Sequence, residues 1–153
     1  MHKYFINLLL VLLLSSFSEN NRRDYRIECK SSTEGFQTIT IWNLKQKHKY
    51  KIEDASKDAI HAFLFSGIEP GLGCILIKPL LSTEQEKEKF KSFEKSFFKN
   101  KYQEFIRSSS ITFETIQKTY RINYKVYTIT VSKDLLRKYL EDQNIISSLS
   151  KGF

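Results

Sequence analysis

The side chains able to do acid–base, metal or thiol chemistry in this 153-residue chain are few and scattered. Metal centres need His, Cys or carboxylate ligands clustered at short spacing. His2, His48 and His61 share no such spacing, and neither H-x-x-x-H nor C-x-x-C occurs. No metal and no cofactor is therefore implied. His61 follows Asp58 by one helical turn, a spacing that can join a carboxylate to an imidazole titrating near neutral pH. On a helix surface the same spacing reads first as an ordinary ion pair. Glu53 and Asp54 are adjacent, so they point in different directions and do not resemble the carboxylate pair of a glycoside hydrolase. The G-x-S-x-G turn that exposes a nucleophilic serine is absent. Active sites built from distant loops leave no local trace, so a secreted hydrolase using His61 stays a third reading and no catalytic residue is assigned.

Two other groups of residues could bind. Gly71 and Gly73 form a lone G-x-G beside Cys74 and the apolar Leu72 and Ile75. The third glycine and the strand-then-helix setting of a dinucleotide site are missing. The glycines read as turn formers in a connector packed over a sheet edge, with a close-approach binding loop over 67–79 as the alternative. Lys45, Lys47, Lys49 and Lys51 stand in the run KQKHKYK. Charge runs at element ends are usually solvated, and docking of a polyanion (lipopolysaccharide, acidic glycan or nucleic acid) is the alternative. Cys29 and Cys74 are the two cysteines. In an oxidising compartment an even pair can bridge; equally, two buried thiols pack as small apolar groups. Spacing alone does not test the geometry a bridge needs.

The elements that must position these residues follow from periodicity. Ile52–Ile68 carries Ile52, Ala55, Ala59 and Phe63 at helical spacing, and Gly67 suits the left-handed residue that ends a helix. Tyr25–Lys30 alternates as a strand, Ser31–Gly35 reads as a turn, and Phe36–Leu44 alternates again, giving a hairpin. Cys74–Ile77 reads as a short strand stopped by Pro79. Ser82 and Thr83 open a second helix, each with a capping-box partner, Gln85 or Glu86. Phe90, Phe93 and Phe97 face its core side, and Glu84–Lys87, Glu86–Lys89 and Glu88–Lys91 pair on its wet side. A break is expected near Asn100, after which Tyr102, Phe105 and Ile106 continue the apolar stripe. Ser108–Ser110 reads as a turn and Ile111–Lys118 as a strand. In YRINYKVYTITV the apolar parity changes by one residue, which places a hairpin turn near Tyr120–Asn123 and a strand over Tyr124–Val131. Ser132 caps a last helix with Leu135, Leu136, Tyr139 and Leu140 inward, and Ile145, Ile146 and Leu149 are packing residues of the tail. The order β-β-α-(β)-α-β-β-α predicts an α+β two-layer sandwich: an antiparallel sheet of about four strands with helices packed on one face.

The first residues set the compartment. His2 and Lys3, an apolar run over Leu8–Leu14, and Ser16 and Ser18 before a cut have the plan of a secretory signal peptide, 1–18. The run is shorter than the roughly 20 apolar residues that span a bilayer. Residues 19–153 then form a single domain, with ENNRRD as a loose start. The net charge of +8 makes the chain basic, and its richness in Phe and Tyr can fill a core and does not suggest disorder. Export argues against a nucleotide cofactor.

The segments AIHAFLFSGI, KPLL, FKSFEKSFFKNKYQEFI and YTITVSKDLLRKYLEDQNIISSLSKGF resemble a family of small exported proteins of Bacteroides-type bacteria. More distantly, the arrangement is similar to small periplasmic β/α modules of the curli-secretion lipoprotein kind, although the acylated cysteine is missing. The resemblance implies a periplasmic or secreted protein and brings no activity or catalytic residue with it. The expected function is a non-enzymatic envelope module that binds another envelope protein, with a polyanion-binding module as the alternative.

Overall fold

The computed structural model describes residues 25–43, 49–71, 74–117 and 121–148, with the backbone alone at 25, 43, 114–117 and 121–124. Residues 1–18, read above as a signal peptide, the polar start 19–24, Lys45, Lys47, Leu72, Gly73, Tyr120 and Leu149 lie outside the described residues.

Strands β1 (Tyr25–Thr33) and β2 (Phe36–Asn43) form the first hairpin. Its turn is shorter than the sequence suggests. Ser31–Thr33 belong to β1, and only Glu34 and Gly35 turn, Gly35 at φ +73°. Positive φ in a two-residue hairpin turn favours glycine. Helix α1 (Ile52–His61) continues as a wider π turn over Ala62–Ser66 and stops at Gly67. Helix α2 (Glu84–Lys99) ends at Asn100 and passes through a 3-10 turn, Lys101–Phe105. Strands β3 (Ile106–Gln117) and β4 (Arg121–Ser132) form the second hairpin, and α3 (Lys133–Asp142) closes the described fold.

The sheet order is β1-β2-β4-β3, antiparallel throughout. The architecture is α+β. Cys29 of β1, Ile39 and Ile41 of β2, and Tyr127, Ile129 and Val131 of β4 share one face and form one cluster with Ala59, Ile60, Phe63, Phe90, Phe97, Leu136 and Leu140 of the helices. Thr38, Thr40, Thr128 and Thr130 point to the other face, where the Thr38 and Thr130 hydroxyls lie 3.0 Å apart. Alternation of apolar and polar positions is what a sheet with helices on one side requires. Burying whole side chains here stabilises by about 1.5–3 kcal/mol each.

Several local expectations need correction. Ser108–Ser110 are not a turn but part of β3, beyond a register shift between Ile106 and Ser108. β4 starts at Arg121, not Tyr124, and its pairing with β3 runs unbroken from Arg121 to Thr130, so no bulge explains the parity change in its sequence. The change reflects where β4 sits. From Val126 onward it pairs with β2, while residues 121–125 pair, among the described residues, with β3 alone. Cys74–Ile77 is not a strand; a single bridge joins Ile77 to Ile68. Phe93 is 36% and Leu135 50% exposed, because each lies one step outside a stripe whose centre is Phe90 and Phe97, or Leu136 and Leu140. Ser132 precedes α3 without a side-chain cap bond.

Thr83 caps α2. Its hydroxyl accepts from the Glu86 N–H at 3.2 Å, and the Glu86 carboxylate accepts from the Thr83 and Ser82 N–H groups at 2.9 and 2.8 Å. Glu86 is therefore a cap and not the partner of Lys89, whereas Glu84–Lys87 and Glu88–Lys91 pair as expected from their spacing. Burial disfavours the charged carboxylate, but these N–H groups and the Ser82 and Thr83 hydroxyls outweigh it and hold Glu86 below its ordinary value of 4.5.

Candidate functional site

The two edges of the sheet are finished differently, and this difference locates the site. At the β1 edge, the chain leaving the π turn folds back as a strap, described over 67–71 and 74–81. Ile68 and Ile77 exchange hydrogen bonds at 2.8 and 3.1 Å, and the Cys29 N–H reaches the Glu69 carbonyl at 3.4 Å. The Leu80 and Leu81 N–H groups donate to the Phe63 and Leu64 carbonyls at 2.8 and 3.0 Å, satisfying groups that the helix end leaves open. A disulfide joins Cys29 to Cys74, with Cα atoms 5.8 Å apart. The Gln37 carboxamide lies 3.4 Å from the Cys29 sulfur and donates to the Ser32 hydroxyl at 2.7 Å.

Gly71 is a glycine because of this strap. A Cβ there would stand 1.9 Å from the Cys29 carbonyl oxygen. The close approach is to the protein's own backbone and not to a ligand. Gly67 has φ +75°, and a Cβ there would meet the Ile77 carbonyl at 2.6 Å. Gly71 and Cys74 are thus parts of a connector packed on a sheet edge. Ile75 and Leu76, just beyond the bridge, are exposed.

The acid–base candidates have neighbours of their own. Asp58 accepts a 2.7 Å hydrogen bond from the Tyr50 hydroxyl. The His61 ring lies against Phe65, centroids 4.6 Å apart. Asp54 accepts from the Lys51 N–H at 2.9 Å and caps α1, while Glu53 is exposed. The Tyr127 hydroxyl donates to the Tyr50 carbonyl at 3.0 Å, and the two rings meet edge to face. Burial, with the Asp54 charge adding to it, raises Tyr127 above its usual value. This chain of contacts anchors the start of α1 to the sheet. Lys49 is exposed beside it.

At the other edge, β3 pairs with β4 only. Among the described residues no strand or strap covers its outer side. Natural sheets blunt such edges with Lys, Pro, bulges or a covering segment. From Ser108 to Gln117 the strand holds no Lys and no Pro, and its register is regular. Ile111 is 46% and Phe113 71% exposed, both at the odd positions that share the helix-side face with Tyr127. The sequence signal for this surface was present. The run SSSITFETIQ sets Ile111 and Phe113 in alternation with Glu114 as its single charge, but which strand is an edge depends on the sheet order.

Compared with protein-family models, with curated proteins and with solved structures, the chain matches none. The site rests on its own residues: a backbone row along β3 that no described strand pairs, with Ile111 and Phe113 beside it.

Proposed function

We propose that this chain is an exported binding or assembly module of the cell envelope that works by adding a strand to its sheet. The carrying observation is the contrast between edges: β1 is bridged, strapped and locked by Cys29–Cys74, while β3 is regular from Ser108 onward and, among the described residues, open. Strand addition supplies affinity through main-chain hydrogen bonds and specificity through alternate side chains. Ile111 and Phe113 are the alternate side chains that flank this edge. Export is supported by the signal-like start, and an oxidising compartment suits the bridge.

A photo-cross-linking residue at Thr112, placed in the protein expressed in its own cells, tests the reading. A discrete cross-linked species is expected from Thr112 and not from Lys95 on the exposed side of α2. Equal, diffuse labelling from both positions refutes it. The polyanion reading, favoured by the net charge of +8, predicts retention on an anionic column that falls steeply with added salt; salt-insensitive cross-linking from β3 excludes it as the main role.

A further inference from the structure

Resting on the reading of β3 as the working edge, we infer that its occupant is the β3 strand of a second copy of this chain, paired antiparallel about a two-fold axis through Thr112. A two-fold axis normal to a sheet pairs residues of equal parity, so the helices of both copies lie on one side. Three registers centre on the exposed part of the strand. Centring on Ile111 sets Phe113 opposite Ser109, and centring on Phe113 sets Ile111 opposite Thr115. Centring on Thr112 sets Ile111 opposite Phe113 of the second copy, and Phe113 opposite its Ile111. Only this register sets every exposed apolar side chain of each copy directly opposite one of the other copy. Directly opposed Cβ atoms stand about 4.5–5.5 Å apart, which is contact distance for these side chains.

The rest of the strand agrees with that register. Thr112 meets its own symmetry mate, and opposed threonines hydrogen-bond across strands. Ser110 falls opposite position 114 and Arg107 opposite position 117, so neither Arg107 nor Glu114 faces its own copy. The result is a continuous eight-stranded sheet in which the outer edges are the two strapped β1 strands. No open edge is left for further growth. Closure at a dimer, and not a fibre, follows from the disulfide-locked strap at the opposite side.

The test is sedimentation of the purified full chain over a wide concentration range, with three variants. The wild type is expected to sediment at twice the monomer mass at micromolar concentration. Phe113→Lys, at a position 71% exposed in the single chain, is expected to fold normally by circular dichroism and weaken self-association on the order of 30-fold or more, the loss typical of a central contact residue. Leu135→Lys, an exposed apolar residue on α3, is expected to leave the dimer intact. Thr112→Cys is expected to give a self-cross-linked dimer on oxidation. A wild type monomeric at every concentration, or a Phe113→Lys protein that dimerises as tightly as wild type, overturns the inference. A monomer that still cross-links to a different protein through Thr112 in cells overturns the second copy as occupant and leaves the edge as the binding site. Loss of both removes the edge reading as well.

Discussion

Removing the Cys29–Cys74 bridge by the double substitution Cys29→Ala, Cys74→Ala tests the physical basis of the protected edge. The cysteines are separated by 45 positions. By the chain-entropy relation, cross-linking a loop of that size removes denatured-state freedom worth about 4 kcal/mol at 25 °C. For a domain of this length that corresponds to a fall in Tm of roughly 15 °C. The bridge also has a local effect, since it holds the strap whose Glu69 carbonyl accepts from the Cys29 N–H. Two measurements separate these effects. Urea unfolding of the oxidised, the reduced and the double-alanine protein gives the global term, and the m-value is expected to rise as the freed denatured chain expands. Hydrogen exchange gives the local term: the amide of residue 29 is expected to lose protection, while those of Ile39 and Ile129 in the sheet centre follow global stability alone. A reduced protein with two titratable thiols and an unfolding free energy within about 0.5 kcal/mol of the oxidised one would refute the reasoning. So would unchanged exchange at residue 29.

Further expectations concern packing and capping. Gly71→Ala forces a Cβ onto the Cys29 carbonyl and is expected to cost about 1–3 kcal/mol, the usual range for overpacking, measured by denaturant unfolding. Leu136→Ala is expected to cost about 2–5 kcal/mol and Leu135→Ala no more than about 0.5 kcal/mol, because one is fully buried and the other half exposed; equal losses would misplace the buried face of α3. Glu86 is held below its ordinary value of 4.5 in the folded chain. Its contribution is thus complete above the unfolded value and is lost as pH falls through the folded one. Glu86→Gln is expected to flatten that acid limb in a stability-versus-pH series, and an unchanged limb would remove the cap from the account. Thr83→Ala, which deletes the other half of the same cap, is expected to cost about 1 kcal/mol in thermal unfolding.

Local pattern was enough for the parts of this protein that local physics controls. Alternation in 25–30 and 36–44 marked the first hairpin, helical spacing marked 52–68 and the stretch from Ser82 to a break near Asn100, and Thr83 with Glu86 announced a cap that the structure contains. Together these residues determined the α+β class. They did not place Phe93 and Leu135, whose exposure depends on how wide a stripe the neighbouring elements cover. The parity change in β4 was equally opaque, because Val126 and Tyr127 are buried on opposite faces of an unbroken strand. The candidate site shows the same division. Gly71 was legible as a special position, but its meaning came from the Cys29 carbonyl, 42 positions away in sequence and in contact only after folding. β3 was legible as a strand; that it is an edge follows from β4 lying between it and β2. Sequence determines which residues favour a strand or a helix, since those preferences act within a few residues. Edges, covered faces and close approaches are decided by non-local pairing, which only the tertiary structure holds.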